Sequence, residues 1–301
     1  MTKTELVFII DTEWLFAYGK QPKRKRKQFG DFMLQNLHTH TEFCDGRSSA
    51  EEILKSAISR GFDSLGFSAH APTVAEESSM ISDPDAYFNE IMRLREKYSD
   101  KIKVFFGLEL DRFSAGLIPK LDFDYMIGST HSAKVGDSYI HFDYCLEHSL
   151  YAINELLGGD ERKYVRLYYE TLAEMPKYMS FDIVGHFDLL SKFKENYTLF
   201  DCDADWYKNY ALEALSALRE SCEIFEVNTG AIARGFRTSP YPDGFILDEM
   251  KRLGCKLIIS SDCHEKSKVD CSFDLAKEYV RAHGFCELYF LTEDGFVGEK
   301  I

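Results

Sequence analysis

Short apolar runs alternate along the chain with longer segments in which apolar and polar positions have helical spacing. The apolar runs are four to eight residues long, as in buried strands, and lie at 34–37, 64–69, 103–110, 125–128, 181–185, 223–228, 256–261 and 287–291. The intervening segments predict helices at 49–60, 84–98, 144–157, 161–178, 204–221, 243–253 and 272–283. Ser48 or Ser49 is the expected N-cap of the first helix, with Glu51 and Glu52 in its first turn.

The repeated order of strand and helix predicts a parallel sheet, because a crossover helix is the usual connection between parallel strands. With about seven core strands, this α/β sheet is either closed into a barrel or doubly wound. A chain of 301 residues has an ordinary length for one α/β barrel. We therefore assign residues 33–301 to one domain.

Residues 1–32 differ from the rest of the chain, because they contain a basic cluster at Lys20 and Lys23–Lys27. A basic run can mark a contact with nucleic acid or lipid, but a flexible extension is the simpler interpretation. Met33 begins a segment, MLQNLHTH, that resembles a natural protein start. Residues 1–32 are therefore interpreted either as an N-terminal extension or as the result of a misassigned start.

The composition is that of a globular protein, with 45% hydrophobic residues, 29% charged residues and a formal net charge of −14. Because this negative field repels nucleic-acid backbones, nucleic acid is not an expected partner. No uninterrupted apolar stretch approaches the roughly 20 residues that span a bilayer, and no signal peptide is evident. We therefore expect a cytoplasmic protein without a membrane partner. The eight cysteines form no C-x-x-C pair and are expected to be reduced thiols.

Histidine and carboxylate side chains follow the predicted strands one after another. The set comprises His38 and His40 after the first strand, His70 after the second, Glu109 at the end of the third, His131 after the fourth, His186 after the fifth, and Asp262 and His264 after the seventh. The carboxyl ends of parallel strands form one rim of a barrel, so these residues are expected to meet there. Asp45 lies on the loop just past the first pair, where its carboxylate can complete the same site.

Imidazole and carboxylate groups together bind zinc, manganese or iron, so the set predicts a metal cluster. The spacing H-T-H at 38–40 places both rings on one side of an extended segment, and D-C-H at 262–264 repeats it. For any single histidine here, a hydrogen-bonded core or surface residue is the ordinary alternative, and Asp45 also fits a turn. A structural zinc site is disfavoured, because such sites are compact, cysteine-rich cages.

The motifs around these residues resemble the PHP (polymerase and histidinol phosphatase) family. They are NLHTHTEFCDGRSS (36–49), LGFSAHAP (65–72), FFGLEL (105–110), IGSTHS (127–132), DIVGHFDLL (182–190), EVNTGAI (226–232) and LIISSDCH (257–264), in the family's order. The resemblance implies a distorted seven-stranded, TIM-like (β/α) barrel with up to three divalent metal ions (Zn, Mn or Fe) on its rim. The implied ligands form three groups: His38, His40, Glu109 and Asp262; Glu109, His131 and His186; and Asp45, His70 and His264.

Within the family, the chain is most similar to monofunctional histidinol-phosphatases, through the segment NTGAIARGFRTSPYPD (228–243). In that branch an arginine after the sixth strand binds substrate phosphate, and it matches Arg234. Lys192 lies at about the place of a second phosphate-binding residue, although a solvated lysine at a helix end is an equal alternative. Arg237 is a second arginine candidate, which we interpret as a surface charge.

The resemblance implies an enzyme that hydrolyses L-histidinol phosphate to L-histidinol and phosphate in histidine biosynthesis. In this hypothesis a hydroxide that bridges the metals attacks phosphorus. Glu109 and Asp262, as metal ligands, and His141, as a candidate general acid, are the predicted catalytic residues; a surface histidine is the alternative for His141. The alternative functions are a PHP phosphoesterase acting on nucleotides or nucleic-acid ends, and a non-catalytic metal-binding accessory module. The oligomeric state stays open.

Overall fold

The computed structural model describes residues 32–76 and 78–301. The predicted N-terminal extension, residues 1–32, lies outside the described residues except for Phe32, so that interpretation stays a prediction. The described part of the chain contains all eight cysteines, and each of their thiols is free, as expected for reduced cysteines.

Seven strands form one sheet in which every neighbouring pair is parallel. They are β1 (Gln35–Asn36), β2 (Ser64–His70), β3 (Lys103–Asp111), β4 (Tyr125–Ser129), β7 (Ile183–Val184), β8 (Ile224–Asn228) and β9 (Lys256–Ser260), side by side in chain order. A parallel bridge between Thr39 and Cys263 joins the segments that follow β1 and β9. The His40 N–H also donates to the Cys263 carbonyl at 2.9 Å. Because these contacts bring the two outer strands together, the sheet is a nearly closed barrel, and the predicted α/β barrel is confirmed.

Helices connect the barrel strands and cover the outside of the sheet. They are α1 (Ala50–Ser59), α2 (Pro84–Lys97), α3 (Leu146–Tyr151), α4 (Glu161–Glu174), α5 (Asp205–Arg219), α6 (Gly230–Ala233), α7 (Gly244–Arg252) and α8 (Phe273–Ala282). Ser49 is the N-cap of α1, where its side chain and that of Glu52 each accept the other residue's N–H. The predicted helix 161–178 ends earlier, at Glu174, because Pro176 has no N–H to continue it. Among the helices of the described residues, none is long and apolar enough to cross a bilayer.

Alternate side chains of each strand point into the barrel and fill its interior. On β3, Phe105 and Glu109 share the inner side, whereas Phe106 packs against the helices outside. Below the rim, the interior holds an apolar cluster of Leu37, Phe105, Tyr125, Ile127, Ile183, Ile224 and Ile258. Gly107 makes room for the ring of Tyr125, since a Cβ at Gly107 would overlap the Tyr125 Cζ atom. The polar rim therefore rests on a packed apolar floor.

Two antiparallel hairpins lie outside the barrel sheet. They are β5 (Ser132–Val135) with β6 (Ser138–His141), and β10 (Glu287–Thr292) with β11 (Gly295–Lys300). The last predicted strand, 287–291, therefore does not join the barrel. The Gln35 side-chain amide donates to the Leu291 carbonyl at 2.9 Å and accepts from the Leu291 N–H at 2.8 Å. Leu291 also packs on the interior cluster, so the second hairpin closes the end of the barrel opposite the rim.

Candidate metal centre and active-site pocket

The nine residues predicted as metal ligands lie together at the carboxyl-terminal rim of the barrel. They form four overlapping groups, and within each group every residue has one nitrogen or oxygen atom that lies within 4.8 Å of those of the others. The groups are His40, Asp45, His70 and His264; His38, Glu109 and His186; His38, His40 and Asp262; and His70, Glu109 and His131. The structure thus brings together the whole predicted set, over 200 positions of sequence. That these residues bind metal stays a prediction.

Glu109, at the end of β3, is the centre of the cluster. Its carboxylate oxygens lie 3.0–3.4 Å from ring nitrogens of five histidines: His38, His40, His70, His131 and His186. The side chain of Glu109 is fully buried, as are those of His38 and His40. A carboxylate with five imidazoles around it can bridge neighbouring cations, which is the role predicted for it.

Asp45 marks the solvent side of the same cluster. One of its carboxylate oxygens lies 3.2 Å from His264 Nε2, and the other lies 3.7 Å from His70 Nε2 and 3.9 Å from His40 Nδ1. His40 therefore faces Asp45 with one ring nitrogen, while its Nε2 lies 3.3 Å from both Glu109 and Asp262. The three ligand groups implied by the resemblance are thus not separate in space, because His40 connects two of them.

Several buried polar atoms of the cluster have no hydrogen-bond partner among the described residues. They include His38 Nε2, His40 Nε2 and Glu109 Oε2, although these atoms lie close to one another. Buried polar atoms are normally hydrogen-bonded, so a set of unpaired lone pairs that converges on one place needs a common cation. Imidazole and carboxylate ligands suit zinc, manganese and iron. The residues therefore fit the predicted metal ions.

The electrostatics of the rim are consistent with a cation site. Burial disfavours a charged His38, but Glu109, Glu226 and Asp262 outweigh burial and hold the pKa of His38 well above its usual value. For Glu109, burial is outweighed by the surrounding histidines, led by His38 and His131, and its pKa lies well below its usual value. The buried carboxylates thus favour positive charge at this place, which bound divalent ions would supply.

A pocket of about 660 Å³ opens above the rim. Its lining includes most of the metal cluster and the three residues predicted to contact substrate: Arg234, Lys192 and His141. The Arg234 guanidinium donates to the Asp262 carboxylate at 2.8 Å and to the Asp262 carbonyl at 3.2 Å, and its side chain is 31% exposed to the pocket side. The sequence-predicted contacts and the predicted ligands therefore share one cavity.

Lys192 and His141 are both held in the pocket wall. Lys192 is buried, and its Nζ donates to the Asp143 carbonyl at 2.6 Å, so the alternative of a solvated lysine is wrong. His141 is half-buried at the end of β6, with its Nδ1 2.9 Å from the Ser132 Oγ. Both side chains are thus fixed by contacts to the segments around the β5–β6 hairpin.

A family model described as the PHP domain matches residues 36–230. The chain belongs to the PHP family. The resemblance predicted from the sequence motifs is confirmed, and the matched segment extends from β1 to the start of α6. It therefore includes seven of the nine predicted ligands, all but Asp262 and His264.

Named relatives of this PHP chain come from several organisms. A Schizosaccharomyces pombe protein described as a probable histidinol-phosphatase is 26% identical over 283 residues, covering 85% of this chain and 89% of the relative. The histidinol-phosphatase of Bacillus subtilis is 25% identical over 260 residues, covering 79% and 96%. Among solved structures, the Lactococcus lactis histidinol phosphate phosphatase complexed with Zn, L-histidinol and phosphate matches with a TM-score of 0.70 and 22% identity, over 88% of this chain and 98% of that one. The last similarity establishes the fold.

Glu226, on β8 of the PHP barrel, was not predicted as a site residue. Its fully buried carboxylate lies 2.7 Å from His38 Nδ1 and accepts the His186 N–H at 2.7 Å. It also accepts from Asn228 Nδ2 at 2.9 Å and from the Ser260 hydroxyl. A carboxylate on the far nitrogen of a histidine fixes which nitrogen faces the metal. The signal in the sequence is a glutamate inside the buried strand IFEVN, where burial of a charge is costly.

Asp111 has a similar supporting position. One of its carboxylate oxygens accepts the His131 N–H at 2.9 Å and the Ser132 N–H at 3.3 Å. Asp111 thereby holds the turn that follows β4 and positions His131. Its place two residues after Glu109 in one strand is the only sequence signal, and that spacing alone does not indicate a contact with residue 131.

The interpretation of Arg237 as a surface charge is wrong. Its side chain is fully buried, 2.5 Å from the Asp243 carboxylate and 3.7 Å from that of Asp188. It also donates to the Ser191 hydroxyl at 2.7 Å. Burial and the nearby Asp243 raise the pKa of Asp188 to about 6, although Arg237 opposes that shift. The arginine thus joins the loop that carries His186 to the loop that carries Arg234, a tertiary contact with no signal in the sequence.

Proposed function

We propose that this protein is a metal-dependent phosphomonoesterase and that its substrate is histidinol phosphate. The observation that carries the proposal is one pocket that is lined by seven of the nine cluster residues together with a buried lysine and an arginine. A cation cluster beside two further cations suits a phosphate group. The names of the relatives from Schizosaccharomyces pombe and Bacillus subtilis, which align over most of this chain, support histidinol phosphate as the substrate.

The metal would be held by the rim residues, with Glu109 shared and His38, His40 and Asp262 near it. Divalent ions bound there supply Lewis-acid polarisation of phosphate oxygens and activation of a water nucleophile. Zinc is the first candidate, since the Lactococcus lactis structure contains zinc, and the same ligands also accept manganese and iron. As the family resemblance implies, up to three ions per chain would take their ligands from the overlapping groups.

Arg234 and Lys192 are the proposed phosphate-binding residues of the chain. The planar guanidinium of Arg234 has five N–H donors, of which the contacts to Asp262 and His264 use three. Lys192 has three donors, of which one is directed at the Asp143 carbonyl. Both cations therefore keep donors for phosphate oxygens, and charge-assisted hydrogen bonds to phosphate are strong. Their positive charge would stabilise the negative charge that develops on the equatorial oxygens of the phosphoryl group.

His141 is the proposed proton donor to the leaving group. Its Nδ1 contact with Ser132 orients the ring and leaves Nε2 for a ligand in the pocket. The alkoxide that departs from phosphorus takes a proton, and imidazole is a common general acid. His141→Gln should therefore lower kcat more than it raises KM.

A phosphate-release screen tests the proposed function. The metal-loaded protein is assayed with histidinol phosphate, a mononucleotide and a 5′-phosphorylated oligonucleotide. We expect histidinol phosphate to have the highest kcat/KM by at least tenfold. Preferential hydrolysis of either nucleotide substrate would indicate the alternative PHP phosphoesterase, and tight metal binding without hydrolysis of any substrate would indicate an accessory module.

Matched histidine variants connect that activity to the rim. His38→Ala should abolish turnover, because His38 is a central member of the cluster. His283→Ala is the control, since His283 lies at the end of α8 and contacts Asp248 instead of the rim. Full activity in His38→Ala, at the metal content of the control, would rule out the metal-rim mechanism.

A further inference from the structure

The pocket contains more carboxylates than a cluster of metal ligands needs. Asp45, Glu109 and Asp262 belong to that cluster, and Asp111 accepts the backbone N–H groups described above. The others in the lining are Glu76, Asp143 and Glu265. Glu76 accepts from the backbone and hydroxyl of Ser78, and Glu265 accepts from the Ser267 hydroxyl. Asp143 therefore differs from the rest, because its carboxylate accepts no hydrogen bond from any described residue.

Asp143 nevertheless has a fixed position. It lies two residues after the end of β6, and Lys192 Nζ donates to its carbonyl oxygen at 2.6 Å. Its neighbour Phe142 is buried against the rings of Tyr164 and Tyr168, with centroid distances of 5.0 and 4.9 Å. The Phe142 N–H donates to the His131 carbonyl at 2.9 Å. The backbone of Asp143 is therefore held in the wall, and its carboxylate has an ion pair with Lys192 but no hydrogen bond from a described residue.

The carboxylate of Asp143 lies where its negative charge would repel the phosphate group of a bound ester. One carboxylate oxygen is 3.7 Å from Lys192 Nζ, which is a proposed phosphate-binding group, and 29% of the side chain is exposed. A phosphate on Lys192 would therefore stand beside a second anion, and like charges at close range repel. A cation next to the phosphate of the bound molecule would offset this repulsion. A carboxylate at this place thus discriminates between esters with and without a nearby cation.

We propose that Asp143 binds the protonated amine of the substrate and thereby selects phosphate esters of 2-amino alcohols. This inference rests on the proposed function. In such esters the ammonium is on the carbon next to the one that bears the ester oxygen, so it must lie beside the phosphate site. Asp143, adjacent to Lys192, has the matching position. An ammonium there would donate a hydrogen bond to a carboxylate whose ion-pair partner, Lys192 Nζ, lies 3.7 Å away, and would screen it from the phosphate.

The test compares two substrates that differ only in the amine. They are histidinol phosphate and its desamino analogue, 3-(imidazol-4-yl)propyl phosphate, each assayed with the metal-loaded wild-type protein and with Asp143→Asn. We expect the wild type to prefer the amine at least tenfold in kcat/KM. Asp143→Asn should raise KM for histidinol phosphate about tenfold with little change in kcat, while KM for the analogue stays equal or falls. The preference would then disappear.

A structural defect has a different signature, because it lowers activity towards both substrates by the same factor. That result would overturn the inference. Glu76→Gln is the matched control, since it removes another carboxylate of the pocket, one whose hydrogen bonds are satisfied. We expect Glu76→Gln to retain the tenfold preference. A loss of preference in Glu76→Gln with none in Asp143→Asn would assign the amine to Glu76 and contradict the proposal.

Equilibrium binding separates this inference from the proposed function. If the metal-loaded wild type releases phosphate from neither ester, the proposed function fails and the amine is tested by calorimetry. The ligands are then the alcohols, histidinol and its desamino analogue. At least tenfold tighter binding of histidinol to the wild type, lost in Asp143→Asn, would support the amine contact. Equal binding of the two alcohols to the wild type would overturn it.

Discussion

Glu226→Gln tests whether a buried carboxylate positions His38 for metal binding. The substitution keeps the shape of the side chain and replaces one oxygen with an amide nitrogen. Glu226 Oε1 contacts His38 Nδ1 and the Ser260 hydroxyl, while Oε2 accepts from the His186 N–H and Asn228 Nδ2. Glutamine has only one acceptor oxygen for these two pairs of donors. At least one pair must therefore face an amide N–H₂ group.

Both orientations of the glutamine are costly. If the amide nitrogen faces His38, the imidazole must accept at Nδ1, which moves its proton to Nε2, the atom directed at Glu109 and Asp262. If it faces His186 instead, the buried His186 N–H loses its acceptor, at a cost of about 1–3 kcal/mol. Loss of such a supporting partner typically weakens metal affinity by about 10–100-fold, which corresponds to roughly 1.4–2.8 kcal/mol.

The assay is a titration of the apoprotein with zinc against a competing chelator, for the wild type and Glu226→Gln. Glu223→Gln is the control, because Glu223 directly precedes β8 but is half exposed and pairs with Lys256. We expect the Glu223 variant to bind zinc like the wild type and the Glu226 variant to bind at least tenfold more weakly. Wild-type zinc affinity in a folded Glu226→Gln would refute the assignment of Glu226 to His38.

Three further predictions concern stability. Arg237→Met should lower the free energy of unfolding by about 3–5 kcal/mol, because Asp188 would stay buried without its cation and Asp243 would keep only Lys194. Gly107→Ala should cost about 1–3 kcal/mol, since the new methyl group would overlap the ring of Tyr125 inside the barrel. Chelation should lower Tm reversibly, because metal at 100 times its Kd stabilises the folded state by about 2.7 kcal/mol. Denaturant unfolding measures the first two, and a thermal scan before and after reloading measures the third.

Arg95→Met removes a partly exposed ion pair with Asp124 and should change stability by about 1 kcal/mol or less. A similar change in Arg237→Met would show that its buried contacts contribute little. Wild-type stability of Gly107→Ala would mean that Tyr125 can move. An unchanged Tm after complete removal of metal would contradict a ligand cluster that needs a cation.

The sequence by itself determined the order of elements and the membership of the rim. Apolar runs and helical spacing are local patterns, and they placed the barrel strands within a few residues. The convergence of His38, Glu109 and Asp262 also followed from sequence, because parallel strands in a barrel must end at one rim. The exceptions are β10, whose apolar pattern is that of a barrel strand although it pairs with β11, and the hairpin strands β5, β6 and β11, which the apolar runs did not predict.

Only the tertiary structure decided what surrounds those ligands. Glu226 meets His38 across 188 positions of sequence, and Arg237 meets Ser191 across 46. Such contacts depend on how loops fold over the rim, and neither periodicity nor charge along the chain encodes them. The same is true of Asp143, whose place in the pocket wall is recognisable only once Lys192 is seen to bind its carbonyl. The residues that bind could be found from their positions at strand ends, whereas those that orient and select required their neighbours in space.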